Sequence, residues 1–153
     1  MPADTPLLDA GCGTGLVGGE LVQRGFSTLD GVDLSQGMLN IARSKGIYRQ
    51  LEIADITRPL PFDPGSYGAV VCVGTFTAGH VGPEGIDPLV GVARKGGYVV
   101  MTVLTQIWEK MGFSTHIDQL QRRGTVRVVD EQVDRTYHTK EHVTCRVVVL
   151  QVV

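Results

Sequence analysis

The sequence has no surplus of positive charge. Its 14 lysines and arginines face 16 aspartates and glutamates, for a net charge of −2 over 153 residues. A broad, sequence-independent grip on nucleic acid needs basic excess, so the balance predicts no bulk nucleic-acid binding. There is no run of 18 apolar residues, which rules out a spanning helix and predicts no membrane partner. The opening Met1-Pro2-Ala3-Asp4-Thr5-Pro6 has no basic segment followed by an apolar one, so it does not read as a signal peptide. Cysteine is scarce and odd in number. Cys12, Cys72 and Cys145 each sit in an apolar or glycine-rich stretch, which argues against a disulfide framework and for reduced thiols in a cytoplasmic setting. None is needed for folding, because a chain of this length buries roughly 68–70% of its unfolded surface.

What the sequence holds in surplus is glycine. It supplies 20 of the 153 residues, nearly twice the usual share of about 7%. No low-complexity tract absorbs them, so they mark tight turns and close backbone approaches.

Apolar patterning divides the chain into alternating elements. Residues 7–10 read as a short buried strand, 16–24 as a helix stopped by Gly25, and 28–32 as a second strand ending at Asp33. Ser35 is a suitable N-cap for a helix whose apolar face is Met38, Leu39, Ile41 and Ala42. Residues 49–54 alternate as a third strand, and the prolines of 58–65 impose a loop. A buried strand at 67–73, a helix at 83–94, a turn at 95–97 and a strand at 98–104 follow. A helix at 107–123, weakened by Gly112, leads to two strand-like runs at 125–137 and 143–153 with only a short link. The order predicts an α/β fold: a Rossmann-like, doubly wound sheet of seven strands in three αβα layers. The final hairpin makes one strand antiparallel. With no repeat and no linker, residues 1–153 read as one domain.

The densest chemistry lies at the first turn. A strand, then Gly11, Gly13 and Gly15, then a helix is the layout of a nucleotide-type site. Glycine lets the backbone approach a ligand, and a helix N-terminus offers unpaired N–H groups. Asp33 lies 22 residues after Gly11 at the end of the next strand, where a carboxylate can accept from two ribose hydroxyls. Gly13-Thr14-Gly15-Leu16-Val17-Gly18 spells Gly-x-Gly-x-x-Gly, which raises an NAD-dependent oxidoreductase as an alternative. Against it, the strand ends directly before Gly11 and Gly18 falls inside the helix. Asp9 adds a carboxylate close to the loop. That suits a ligand carrying an ammonium, or holds loop amides, better than it suits a pyrophosphate.

Leu7-Leu8-Asp9-Ala10-Gly11-Cys12-Gly13-Thr14-Gly15 resembles the first motif of class I S-adenosylmethionine (SAM)-dependent methyltransferases. Gly31-Val32-Asp33-Leu34-Ser35-Gln36-Gly37-Met38-Leu39 resembles their second motif, and Ala54-Asp55-Ile56 stands at the third. Tyr67-Gly68-Ala69-Val70-Val71-Cys72-Val73-Gly74 is similar to the fourth, and Arg94-Lys95-Gly96-Gly97-Tyr98-Val99-Val100 to the turn into strand five. Gly15-Leu16-Val17, Pro59-Leu60-Pro61 and Val73-Gly74 look most like the methyltransferase-like group named after the Williams–Beuren syndrome chromosome region.

The resemblance implies SAM as cofactor and S-adenosylhomocysteine as product. It implies that Gly11, Cys12, Gly13 and Gly15 face the methionine part, with Asp9 near its ammonium. Asp33 would take the ribose hydroxyls, with Leu34 and Met38 against the adenine or ribose. Asp55 would accept from the adenine amino group, with Ile56 beside the ring. Gly74, Thr75 and Phe76 would line the methionine end. No catalytic base and no metal ligand is implied. The expected acceptor is a small molecule or a protein side chain. Family members carry a helical segment before the first strand, and this chain starts that strand about six residues in. A lid-less domain follows as an expectation, with a non-catalytic SAM- or nucleotide-binding module, or a fragment, as the alternative.

Other candidates carry less. His80 follows the fourth strand on the side where such sheets bind ligands, and Thr75, Thr77 and Tyr67 are weaker candidates still. His138-Thr139-Lys140-Glu141-His142 spells a zinc-peptidase pattern, but that chemistry needs a helix and this segment links two strands. Trp108 reads as core or rim.

Overall fold

Short β-branched and leucine-rich runs form the centre of the sheet. The computed structural model describes residues 1–77, 81–138 and 143–153. Strands β1 (Leu7–Ala10), β2 (Leu29–Asp33), β3 (Gln50–Ile53), β4 (Tyr67–Phe76) and β5 (Ala93–Leu104) are joined by α1 (Leu16–Gln23), α2 (Gln36–Ser44) and α3 (Ile86–Val92). Then come α4 (Thr105–Trp108), α5 (Phe113–Arg122), β6 (Val126–His138) and β7 (Val143–Val152). The seven strands lie in the order β3-β2-β1-β4-β5-β7-β6. The first five are parallel, and β7 runs antiparallel between β5 and β6. This is the expected Rossmann-like mixed sheet with one antiparallel strand.

Strand order reverses between β1 and β4. The right-handed crossover rule then puts α1 and α2 on one face and α3 on the other. It also opens a crevice beyond the C-terminal ends of β1 and β4, where such sheets bind ligands. The larger core lies under α3, α4 and α5, where Leu8, Val70, Cys72, Val99 and Met101 meet Ile86, Leu89, Ile107, Phe113 and Leu120. A smaller cluster of Leu7, Leu29 and Ala69 packs with Leu21, Phe26 and Tyr48 on the other face. No helix among the described residues is long and apolar enough to cross a membrane.

Three elements differ from the sequence reading. The helix expected at 107–123 is two helices, because Gly112 adopts φ 80° and caps α5 in the left-handed region. The helix expected at 83–94 begins as a 3-10 turn (Pro83–Gly85) and gives way to strand at Ala93. The turn expected at 95–97 is an outward bulge within β5. Tyr67 pairs with Ala93 while Ala69 pairs with Tyr98, so residues 94–97 have no counterparts on β4. Gly97 is required there, because a Cβ would stand 2.7 Å from the Gly68 carbonyl oxygen and 2.9 Å from that of Arg94.

At the opposite end from the crevice, Asp30 is fully buried on β2. It accepts from Arg49 Nε and Nη2 at 3.0 and 2.7 Å, Gln50 Nε2 at 2.9 Å and the Tyr67 hydroxyl at 2.6 Å. Burial opposes its ionisation, but these donors outweigh it and hold the carboxyl below the usual range. The cluster ties β2 to β3 and β4. Tyr67→Phe is expected to lower unfolding free energy by about 1.5 kcal/mol, the low end for a bond to a charged acceptor, since three donors remain. Urea melts of the two proteins check this, and coincident curves would remove the hydroxyl from the network.

Candidate active site

The turn after β1 is built from left-handed glycines, Gly11 at φ 69°, Gly13 at 56° and Gly15 at 95°. The Cys12 N–H donates to the Val32 carbonyl at 2.9 Å, which fastens the loop to β2. Asp33 fastens it again. Its Oδ2 accepts from Gly13 N at 2.9 Å and its Oδ1 from Ser35 N at 2.9 Å. One carboxylate thus joins the glycine loop to the start of α2. Ser35 caps that helix as expected, its Oγ accepting from Met38 N at 3.2 Å.

Beyond the strand ends lies a cleft of about 210 Å3. Gly11, Asp33, Leu34, Asp55, Ile56, Gly74 and Thr75 line it, seven of the residues expected from sequence, together with Ala54, Thr77 and Val81. A bulge in β4 makes Gly74 and Thr75 available. Cys72 pairs with Met101 and Phe76 with Val103, so the intervening β4 residues leave the ladder. Gly74 takes φ 80°, and its N–H donates to Thr102 Oγ1 at 3.1 Å. Thr75 Oγ1 closes on the loop so tightly that a Cβ on Gly11 would lie 2.1 Å from it. Over Gly13 there is open space, with nothing within 4 Å of such a Cβ.

Asp55 Oδ1 accepts from Thr57 N at 2.9 Å and Thr57 Oγ1 at 2.6 Å, an Asx turn that holds its carboxyl below the usual range. The residue is therefore both turn-former and cleft wall. Leu34 is 66% exposed beside it, an apolar side chain that makes wall surface available to a flat ligand.

The remaining expected residues lie around the cleft rather than in it. Met38, one turn along α2, is 45% exposed outside the lining. Cys12 is buried, and burial together with the Asp9 and Asp33 charges pushes its thiol up to about 12. Gly15 caps α1. Phe76 does not reach the methionine end, because it is buried edge-to-face on Phe113 at 5.4 Å. Trp108 stacks on that same Phe113 at 6.3 Å, in the core. His80 and residues 139–142 of the zinc-peptidase pattern lie outside the described residues.

Asp9 is only 1% exposed, beneath the loop. Its Oδ2 accepts from the Tyr48 hydroxyl at 2.7 Å. Burial pushes the carboxyl up to about 6, the Tyr48 bond opposes this, and the nearby Asp33 charge adds to it. Tyr48 was not singled out in the sequence. The signal that pointed to it was the glycine surplus, since Gly15, Gly18 and Gly31 all border its ring.

Comparison with known proteins follows the same residues. Residues 7–97 match the family described as Methyltransferase domain. The chain is 37% identical over 127 residues to Methyltransferase-like protein 27 of Homo sapiens, covering 80% of this chain and 51% of that protein. It is 35% identical over 75 residues to the 18S rRNA (guanine-N(7))-methyltransferase of Bos taurus, covering 48% of this chain and 26% of that one. The chain thus spans about half or less of the length of these curated relatives. A SAM-dependent methyltransferase structure from Methanosarcina mazei aligns at TM-score 0.78 over 100% of this chain and 94% of its own, at 15% identity, a likeness of fold.

One expectation is overturned here. A small-molecule or protein acceptor, with nucleic acid set aside, does not stand beside a relative named for methylating ribosomal RNA. Net charge measures long-range, salt-dependent attraction to phosphates. It does not measure how one base is received in a cleft, so a value of −2 carried less than was asked of it.

Proposed function

Because the chain belongs to the class I SAM-dependent methyltransferases, we propose that it binds SAM across the β1–β4 crevice and transfers its methyl group to a nucleic-acid base. The observation that carries the cofactor half is the Asp33 carboxylate, bonded to the glycine loop through Gly13 and standing on the cleft wall. The donor set fits the cofactor. Asp33 offers its remaining lone pairs to a ribose diol, and Leu34, Ala54 and Ile56 offer an apolar wall for an adenine. The second Asp55 oxygen accepts from the adenine amino group. The space over Gly13 and the wall at Gly11, Gly74 and Thr75 take the methionine end.

When bound, SAM supplies a methyl group activated on its sulfonium, which an acceptor lone pair displaces in line to leave S-adenosylhomocysteine. The protein supplies orientation and exclusion of water. Among the described lining residues the titratable groups are Asp33 and Asp55, and both already accept from backbone amides. With the ribose and adenine of the cofactor taking their remaining lone pairs, neither is free to serve as a general base. A ring nitrogen with an unshared pair and no proton to lose suits such a site, as does the name of the bovine relative. The motif residues 15–17, 59–61 and 73–74 support the Williams–Beuren methyltransferase-like group as the finer family reading.

Calorimetric titration with SAM, S-adenosylhomocysteine and NAD tests the cofactor. Micromolar binding of the first two and none of NAD is expected; NAD binding alone would sink the reading. Incubation with methyl-tritiated SAM and ribosomal RNA, protein extract or a metabolite pool tests the acceptor. Label is expected in the RNA, and label confined to protein or metabolites would overturn the nucleic-acid assignment.

A further inference from the structure

Tyr48 follows α2, yet its side chain ends under the N-terminus of α1. The niche it occupies is made of missing side chains. A Cβ on Gly18 would lie 2.3 Å from the Tyr48 hydroxyl, one on Gly15 3.1 Å from the ring, and one on Gly31 3.0 Å from it. These glycines come from the cap of α1, its first turn and β2. At the bottom of the niche the hydroxyl donates to Asp9 at 2.7 Å. Asp9 in turn is buried beneath the glycine loop that opens α1, and the Gly18 amide in the first turn of that helix favours its charged form. Among the described residues no side-chain hydrogen bond caps that helix, and its first turn holds no acid. Gly18, which completes an NAD-like spelling in the sequence, is therefore matched to a tyrosine rather than to a pyrophosphate.

We propose that Tyr48 is a positioning residue for the cofactor: its ring fills the niche under the start of α1, and its hydroxyl, bonded to the buried Asp9 carboxylate, fixes it there and with it the glycine loop. This rests on the SAM reading above and adds a residue that lies outside the cleft. The ring fills the space under the loop, and the hydroxyl fixes which way the carboxylate faces.

The groups around Asp9 make the effect readable by pH. From β2, Asp33 adds a like charge. Cys12 from the loop and Cys72 from β4 are both pushed up to about 12 by burial and are neutral near pH 7. Tyr48 is pushed further up by burial and by Asp9 itself. From α1 comes the Gly18 amide, and the Lys45 stem lies across Gly15. Asp9, with its carboxyl at about 6, is thus the group that changes charge just below neutrality.

The test is calorimetry of S-adenosylhomocysteine binding from pH 5 to 8 on the parent chain, Tyr48→Phe and Asp9→Asn, with circular dichroism to establish folding. In the parent, affinity is expected to fall as pH drops through about 6, as the protonated carboxyl releases the loop. Tyr48→Phe keeps the ring and is expected to raise Kd about three- to tenfold at pH 7.5. It should also move the fall-off to higher pH, because a bond that favours the ionised form is gone. Asp9→Asn should give a flat profile. A Tyr48→Phe profile that superposes on the parent overturns the proposal. So does a loss equal at every pH, which marks packing alone. If Tyr48→Phe does not fold, a parent-like profile in Asp9→Asn overturns it and a flat one supports it. A parent that binds no S-adenosylhomocysteine overturns the cofactor reading itself and this inference with it.

Discussion

Asp33→Ala is expected to weaken binding of S-adenosylhomocysteine by about 1.5–3 kcal/mol, roughly tenfold to 150-fold in Kd. The magnitude is that of hydrogen bonds to a charged acceptor lost at a site that then has no substitute. Two losses add. The ribose hydroxyls lose their acceptor, and the Gly13 and Ser35 amides lose theirs, each now 2.9 Å from a carboxylate oxygen. The second loss loosens the loop that the first depends on. Asp33→Asn separates them, since an amide oxygen serves one backbone donor but carries no charge. It is expected to fall between the parent and Asp33→Ala. Calorimetry on the three proteins is the measurement, and an Asp33→Ala Kd equal to the parent's would remove Asp33 from the cofactor site.

The residues that could be read from the sequence act over short stretches. Strand, glycine turn, helix and strand-end acid follow one another within residues 7–33, and the Ser35 cap needs only its own helix. Gly11, Asp33 and the adjoining Leu34 reach the cleft from that stretch, and the ends of β3 and β4 bring Asp55, Ile56, Gly74 and Thr75 to meet them. What the sequence did not disclose depends on chain-distant packing. The 107–123 pattern looks continuous, but Phe113 has to reach Phe76 and Trp108, and Gly112 turns the chain to allow it. Phe76 looked like cleft wall because it follows Thr75. The β4 bulge sends the two in opposite directions, one to the loop and one to the core. The glycine surplus was visible, but its meaning at Gly18 and Gly31 needed a tyrosine from another segment.

Asp9→Asn is expected to be more stable than the parent above pH 6 and to hold the cofactor less well, two changes of opposite sign from one atom. Burial raises the Asp9 carboxyl from an ordinary 3.8 to about 6. An acid whose folded pKa is raised binds its proton more tightly when folded than when unfolded. The folded state therefore loses stability as pH rises from about 4 to about 6, and the loss is complete above that. The shift corresponds to about 3 kcal/mol at neutral pH. Asparagine keeps the shape without the charge and still accepts from Tyr48. Its NH2 group is a buried donor that the carboxylate did not bring, and leaving it unpaired returns about 1 kcal/mol. The net expectation is a gain of about 2 kcal/mol at pH 8 that disappears near pH 4, read from urea melts at both values. A variant less stable than the parent at pH 8 would mean that the carboxylate's bonds outweigh its burial. The predicted gain, accompanied by a higher Kd for S-adenosylhomocysteine, would instead mark Asp9 as a charge that the fold tolerates under the loop because the loop's ligand needs it there.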